Sequence, residues 1–85
     1  MSNCKNDYIK IIDAWDNNVS STDIYHMLFY WLNNYIDSIY DHNATKDMNI
    51  ILDRMKNDDN SFDIVDDFVG GKKYRDLHKT ILEIE

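Results

Sequence analysis

The sequence predicts an all-α protein, a compact bundle of four to five short helices packed around a long central second helix. Three observations predict it. Apolar residues recur at three- and four-residue steps through almost the whole chain, the period of a helix face. No proline interrupts these stretches, and no strand pattern competes over more than five residues. At 85 residues and 44% hydrophobic content, the chain reads as one domain, residues 1–85, able to bury one core.

Each helix has its own signals. Tyr8, Ile11, Ile12 and Trp15 follow i, i+3, i+4, i+7 and predict a first helix over residues 6–17. Asn17-Asn18 supplies the turn, because asparagine tolerates left-handed backbone. Ser20-Ser21-Thr22-Asp23 reads as a capping box with Ser20 as N-cap, and opens the longest helix, residues 21–41. There Ile24, Met27, Leu28, Trp31, Tyr35 and Ile39 form one stripe, and Tyr25, Phe29, Leu32, Ile36 and Tyr40 an adjacent one. A helix apolar on so much of its surface packs on several neighbours or meets an interface.

Asp41-His42-Asn43 breaks that helix, and Thr45 is expected to cap a third over residues 46–57, with Met48, Ile51, Leu52 and Met55 inward. After the polar break Asn57-Asp58-Asp59-Asn60, Ser61 is expected to cap a short fourth helix over 62–69. Gly70-Gly71 ends it in the usual C-terminal glycine position. A last helix over 72–84 carries Tyr74, Leu77 and Ile81. A weak echo of residues 11–18 in residues 64–71 gives two helix–turn–helix segments of similar style.

Composition removes several function classes. One cysteine, Cys4, makes no internal disulfide, and near a fraying terminus it is expected to be inert. Cys4, His26, His42 and His78 stand at spacings that match no zinc motif. No apolar run reaches the roughly 18–20 residues of a membrane span, and the polar start MSNCKNDY does not read as a signal peptide, so a cytoplasmic location is expected. The net charge of −7 opposes binding to a phosphate backbone. No nucleophile–base pair, paired Glu or glycine-rich loop stands at a catalytic spacing, so no enzyme and no cofactor is expected.

The acids are the best functional clue. Of 16, 14 are Asp and only 2 Glu, although Glu is the better helix former. Asp7, Asp23, Asp47 and Asp63 fall in first turns, where the helix dipole favours them. Asp16, Asp37, Asp41, Asp66 and Asp67 fall at predicted helix ends, where the dipole is unfavourable and a Lys- or Arg-bearing partner would recover the loss. The densest patch is Asp58, Asp59, Asp63, Asp66 and Asp67, five Asp in ten residues with no Lys or Arg among them. The simpler reading is a solvated face that aids solubility. The functional reading is a docking surface for a basic protein. Calcium binding fails on the loop pattern, since counting from Asp58 puts Phe62 at position 5 and Asp63 where Gly belongs. Trp15, Trp31, Tyr35 and Phe62 are expected in the core, whereas Tyr40, at a helix end, serves equally as core or as an interface anchor.

The stretch Ile12-Asp13-Ala14-Trp15-Asp16-Asn17-Asn18-Val19-Ser20-Ser21-Thr22-Asp23 resembles a pattern of small bacterial immunity proteins of the colicin D type. Val65-Asp66-Asp67-Phe68-Val69-Gly70-Gly71-Lys72 is similar in a looser way. The small, acidic, helical style is also similar to the colicin E nuclease inhibitors and to partners of contact-dependent inhibition toxins. The paired tyrosines followed by proline of the colicin E inhibitors have no counterpart here, so no binding residue carries over to a named position. The resemblance implies a cognate inhibitor, one-to-one, that covers the nucleic-acid groove of a cationic toxin nuclease.

On that expectation the contact surface comprises Asp37, Tyr40, Asp41, Asp58, Asp59, Asp63, Asp66 and Asp67. Two other readings stand beside it. The richness in Asn, Ile, Lys and Asp fits an AT-rich gene, which a phage or virus also supplies; the same acids would then block a host nucleic-acid-binding complex as a DNA mimic or anti-CRISPR-like inhibitor. Alternatively, the broad apolar face of the second helix makes a homodimer.

Overall fold

A computed structural model describes residues 3–57 and 60–84. Five α-helices follow in order: α1 Cys4–Asp16, α2 Ser21–Tyr35, α3 His42–Lys56, α4 Ser61–Val65 and α5 Arg75–Leu82. One π-helical turn, Asp66–Gly70, continues α4. No strand occurs among the described residues. The α2 helix packs on α1, α3 and α4, while α5 closes the bundle against α1 and α3.

Local chemistry sets the helix ends. The Ser20 side chain accepts from Asp23 N–H at 3.2 Å and caps α2, as the sequence predicts. Asn18 adopts φ 59°, the left-handed region. Its N–H reaches Trp15 O at 3.1 Å and Val19 N–H reaches Ala14 O at 3.0 Å, the Schellman pair that ends α1.

The long second helix is corrected. It stops at Tyr35, and α2 and α3 are equal at 15 residues. Asn33, Asn34, Asp37 and Ser38 crowd its end with poor helix formers, and no basic side chain favours its last turn. The following link folds Ile39 into the core and leaves Tyr40 98% exposed. Asp41, backbone extended, then caps α3: its Oδ1 accepts from Ala44 N–H at 2.9 Å. Thr45 is therefore inside α3, where its hydroxyl donates to Asp41 O or Ile39 O, at 2.9 and 3.2 Å. Likewise Asn60, not Ser61, caps α4, with Oδ1 accepting from Phe62 and Asp63 N–H at 2.8 and 3.2 Å. The last helix starts at Arg75, since Lys72–Tyr74 supply a turn but no side-chain cap.

An aromatic cluster centres the core. Phe68 of the π-helical turn meets Tyr8 edge-on at 5.8 Å, His78 at 5.0 Å and Tyr74 at 6.1 Å between centroids. Tyr8 in turn meets Trp31 at 5.0 Å, and the Trp31 indole N–H donates to Cys4 O at 3.0 Å. Cys4 is thus fixed in the core instead of fraying, and burial pushes its thiol pKa up, away from reactivity.

The glycines that close the π-helical turn are there for space, since neither has a positive φ. Gly71 is extended at φ −90°, ψ 173°, yet a Cβ on it would stand 2.9 Å from the Asp67 carbonyl oxygen. At Gly70 a Cβ would meet Trp15 Cζ2 at 3.3 Å and Asp66 Oδ1 at 3.4 Å, side chains that can move. Gly71→Ala should therefore lower stability by about 1–3 kcal/mol, a Tm loss of at least about 4 °C, and Gly70→Ala by less than about 1 kcal/mol. Thermal melts of the two variants check the order.

His78 gives a pH dependence. Its Nε2–H donates to Phe68 O, so the neutral ring leaves Nδ1 as a buried acceptor without a partner. Burial lowers its pKa from the usual 6.5. The unfolded chain thus takes up the proton first as the pH drops. The stabilisation is full above pH 6.5 and declines below it until the lower folded pKa is passed, by at most about 1.4 kcal/mol per pH unit. Urea melts between about pH 7.5 and 5.5 should show this slope, and His78→Gln should flatten it.

Candidate functional site

The turn after α1 and the start of α4 build a shallow groove. The Schellman turn reverses the chain so that Val19 lies beside Trp15, and both line the groove with Asn18, Ser21 and Phe62. Its volume is about 310 Å³. Phe62 is 54% exposed and Val19 40%, while Trp15 is half-buried. The expectation that Phe62 belongs to the core is therefore corrected. A helix as short as α4 has one inward face, which Ile64 and Val65 already fill. Trp15 packs against the core only in part, with its indole edge over Gly70.

One carboxylate, Asp66, lies one helical turn after Phe62, whereas Asp16 and Asp63 adjoin Trp15 and Phe62 only in sequence, on other faces of their helices. Asp66 Oδ1 and Trp15 Cζ2 both approach Gly70, at 3.4 and 3.3 Å from where a Cβ on it would stand. All three acids are exposed, and none makes an ion pair among the described residues. Among the described residues no Lys or Arg lines the groove.

The other expected contact residues divide. Asp67 is not an open charge: its Oδ2 accepts from Arg54 Nη1 at 2.9 Å, with the Arg54 side chain only 20% exposed. That partner stands 13 residues upstream, so the patch looked unneutralised in sequence. Asp41 does not close α2; as the cap of α3 it gains from the helix dipole, and the placement needs no partner to explain it. Asp37 lies exposed in the turn after α2, also outside the helix. Tyr40 stands free of the core. Asp58 and Asp59 lie outside the described residues.

Asp41 lines a different, mixed-charge groove of about 610 Å³ with Lys46, Asp47, Asp76, Lys79 and Glu83. Tyr35 is half-buried, not core. Its hydroxyl donates to Asp7 Oδ2 at 2.6 Å, which ties α2 to α1 and pushes the hydroxyl pKa up to about 12.

The sequence reading missed Trp15, Val19 and Phe62 as surface groups. The available signal was the left-handed turn at Asn18, which exposes the residue after it. Among the described residues no group of three or more His, Cys, Asp or Glu is placed to hold a metal ion, and no helix is long and apolar enough to cross a membrane. Comparison with protein-family models, curated proteins and solved structures gives no match.

Proposed function

We propose that this chain is a protein-binding module that docks a basic protein partner, and that it acts as an immunity protein neutralising a cationic toxin domain, a nuclease by preference. One observation carries the reading: the exposed apolar side chains of Phe62 and Val19 share a groove with Trp15, and the Asp66 carboxylate, which makes no ion pair among the described residues, lies close to the Trp15 ring beside Gly70. Apolar anchors beside charge of one sign suit a partner of opposite charge, with the apolar contact giving residence and the charge giving speed and selectivity. The carboxylates would pair with the Lys and Arg side chains that hold phosphate in a nuclease groove.

Capture of partners by tagged protein from the native organism, repeated across a salt series, tests this. A single basic nuclease whose retention falls with salt supports it. Recovery of a host defence or transcription complex replaces the toxin with a host target and favours the viral inhibitor. Recovery of the chain with only itself removes the proposal in favour of a homodimer.

A further inference from the structure

The groove between the α1–α2 turn and α4 has a shape and chemistry that select among cations. Two aromatic rings, Trp15 and Phe62, line it together with the Val19 side chain. Its polar lining comes from Asn18 and Ser21, whose side-chain oxygens are acceptors. Asp66 Oδ1 and the Trp15 ring both approach the space over Gly70, so a carboxylate stands at the edge of an aromatic face.

A lysine ammonium is a compact, strongly hydrated point charge and gains little from a shallow apolar floor. An arginine guanidinium is flat, weakly hydrated and able to stack on a ring while donating to carboxylate oxygens at its edge. We propose that this groove is an arginine-binding site: it receives an arginine side chain from an extended basic segment of the partner, stacked on Phe62 and Trp15 and hydrogen-bonded to Asp66. This rests on the docking function proposed above and assigns that function a specific pocket.

The test uses the full chain and two acetylated hexapeptides, one all arginine and one all lysine, followed by amide and indole chemical shifts. The two tryptophans serve as internal controls, because the Trp31 indole N–H is buried and bonded to Cys4 O. The arginine peptide should bind at least about 5-fold tighter than the lysine peptide. It should move the Trp15 indole and the amides of Val19, Phe62 and Asp66, and leave the Trp31 indole in place. Phe62→Ala should remove the preference, and Phe62→Tyr should restore it. Phe62 lies outside the core, so both variants retain the fold; Asp66→Asn, which leaves both rings intact, should weaken the arginine peptide more than the lysine peptide. Equal affinity for the two peptides, or shifts centred on Asp47 and Asp76, would overturn the arginine site while leaving an acidic docking surface. Absence of binding by the arginine peptide at low salt would also overturn the arginine site, while the docking function is decided separately by the partner capture across the salt series.

Discussion

Phe68→Ala should remove nearly the whole stability margin and leave a large fraction of the protein unfolded at room temperature. Phe68 is fully buried and joins three elements, meeting Tyr8 of α1, Tyr74 before α5 and His78 within α5. Truncating a buried phenylalanine costs about 3–5 kcal/mol through lost burial and the cavity left behind. The aromatic pairs add to that, at about 0.5–1.5 kcal/mol each where the geometry is good. A chain of 85 residues is stabilised by on the order of 5 kcal/mol in all, so one substitution removes nearly the whole margin. The cavity has no easy collapse, because Phe68 sits in the π-helical turn, whose exit through Gly71 is already tight against Asp67 O. Far-UV circular dichroism and a urea titration should show loss of the cooperative transition. Phe62→Ala, one helical turn and a half upstream, should change stability by less than about 1 kcal/mol, because its ring is already more than half exposed.

Asp63→Lys with Asp66→Lys should reduce affinity for the basic partner at least about 100-fold while leaving helicity unchanged. Both residues are exposed and carry no ion pair among the described residues, so their reversal breaks no internal contact. Placing two cations against a basic surface replaces attraction with like-charge contact, worth several kcal/mol. Asp67 is left out of the variant deliberately. Its carboxylate holds Arg54 at 2.9 Å, and a lysine there would put two cations together on the α3–π-turn contact. Calorimetric titration of the purified partner against wild type and the double variant, with circular dichroism as the check on folding, reads the effect. Unchanged affinity would remove α4 and its π-helical turn from the interface.

The contrast between these two phenylalanines also locates what the sequence makes legible. Both fall on helical spacing, and both read as core from pattern alone. Only the length of the helix separates them. Five residues of α4 offer one inward face, that of Ile64 and Val65, and Phe68 continues that face three and four residues on, whereas Phe62 lies off it. Periodicity does identify every helix, because the core residues Tyr8, Ile24, Met48, Ile64 and Ile81 each lie on a helical stripe. Local caps are legible where one residue dominates, as with Ser20 and the left-handed Asn18.

The role of Asp41 is not legible from periodicity. Apolar residues continue past Tyr35 through Ile36 and Ile39, so the period extends α2 on paper and makes the N-cap of α3 look like a last-turn acid. Ile39 reaches the core through a non-helical link instead, a route that periodicity cannot distinguish. The charge pattern is illegible along the chain for a similar reason. Counting residues along the chain finds no base near Asp67, whereas folding α3 against the end of α4 brings Arg54 to it. Two acids thereby lose the need for a partner, Asp41 to a helix cap and Asp67 to an ion pair. Asp63 and Asp66 keep their open charge, and Asp66 lies near the Trp15 ring.

The most direct test of the central claim is the amide hydrogen-exchange footprint of the full chain with its captured partner bound. The account predicts slowed exchange in residues 15–21 and 60–70, around Trp15, Val19, Phe62 and Asp66, with the outer face of α2 at Phe29 and Tyr30 unchanged. Protection confined to Phe29, Tyr30 and Ile9, with residues 60–70 exchanging as in the free protein, would contradict it.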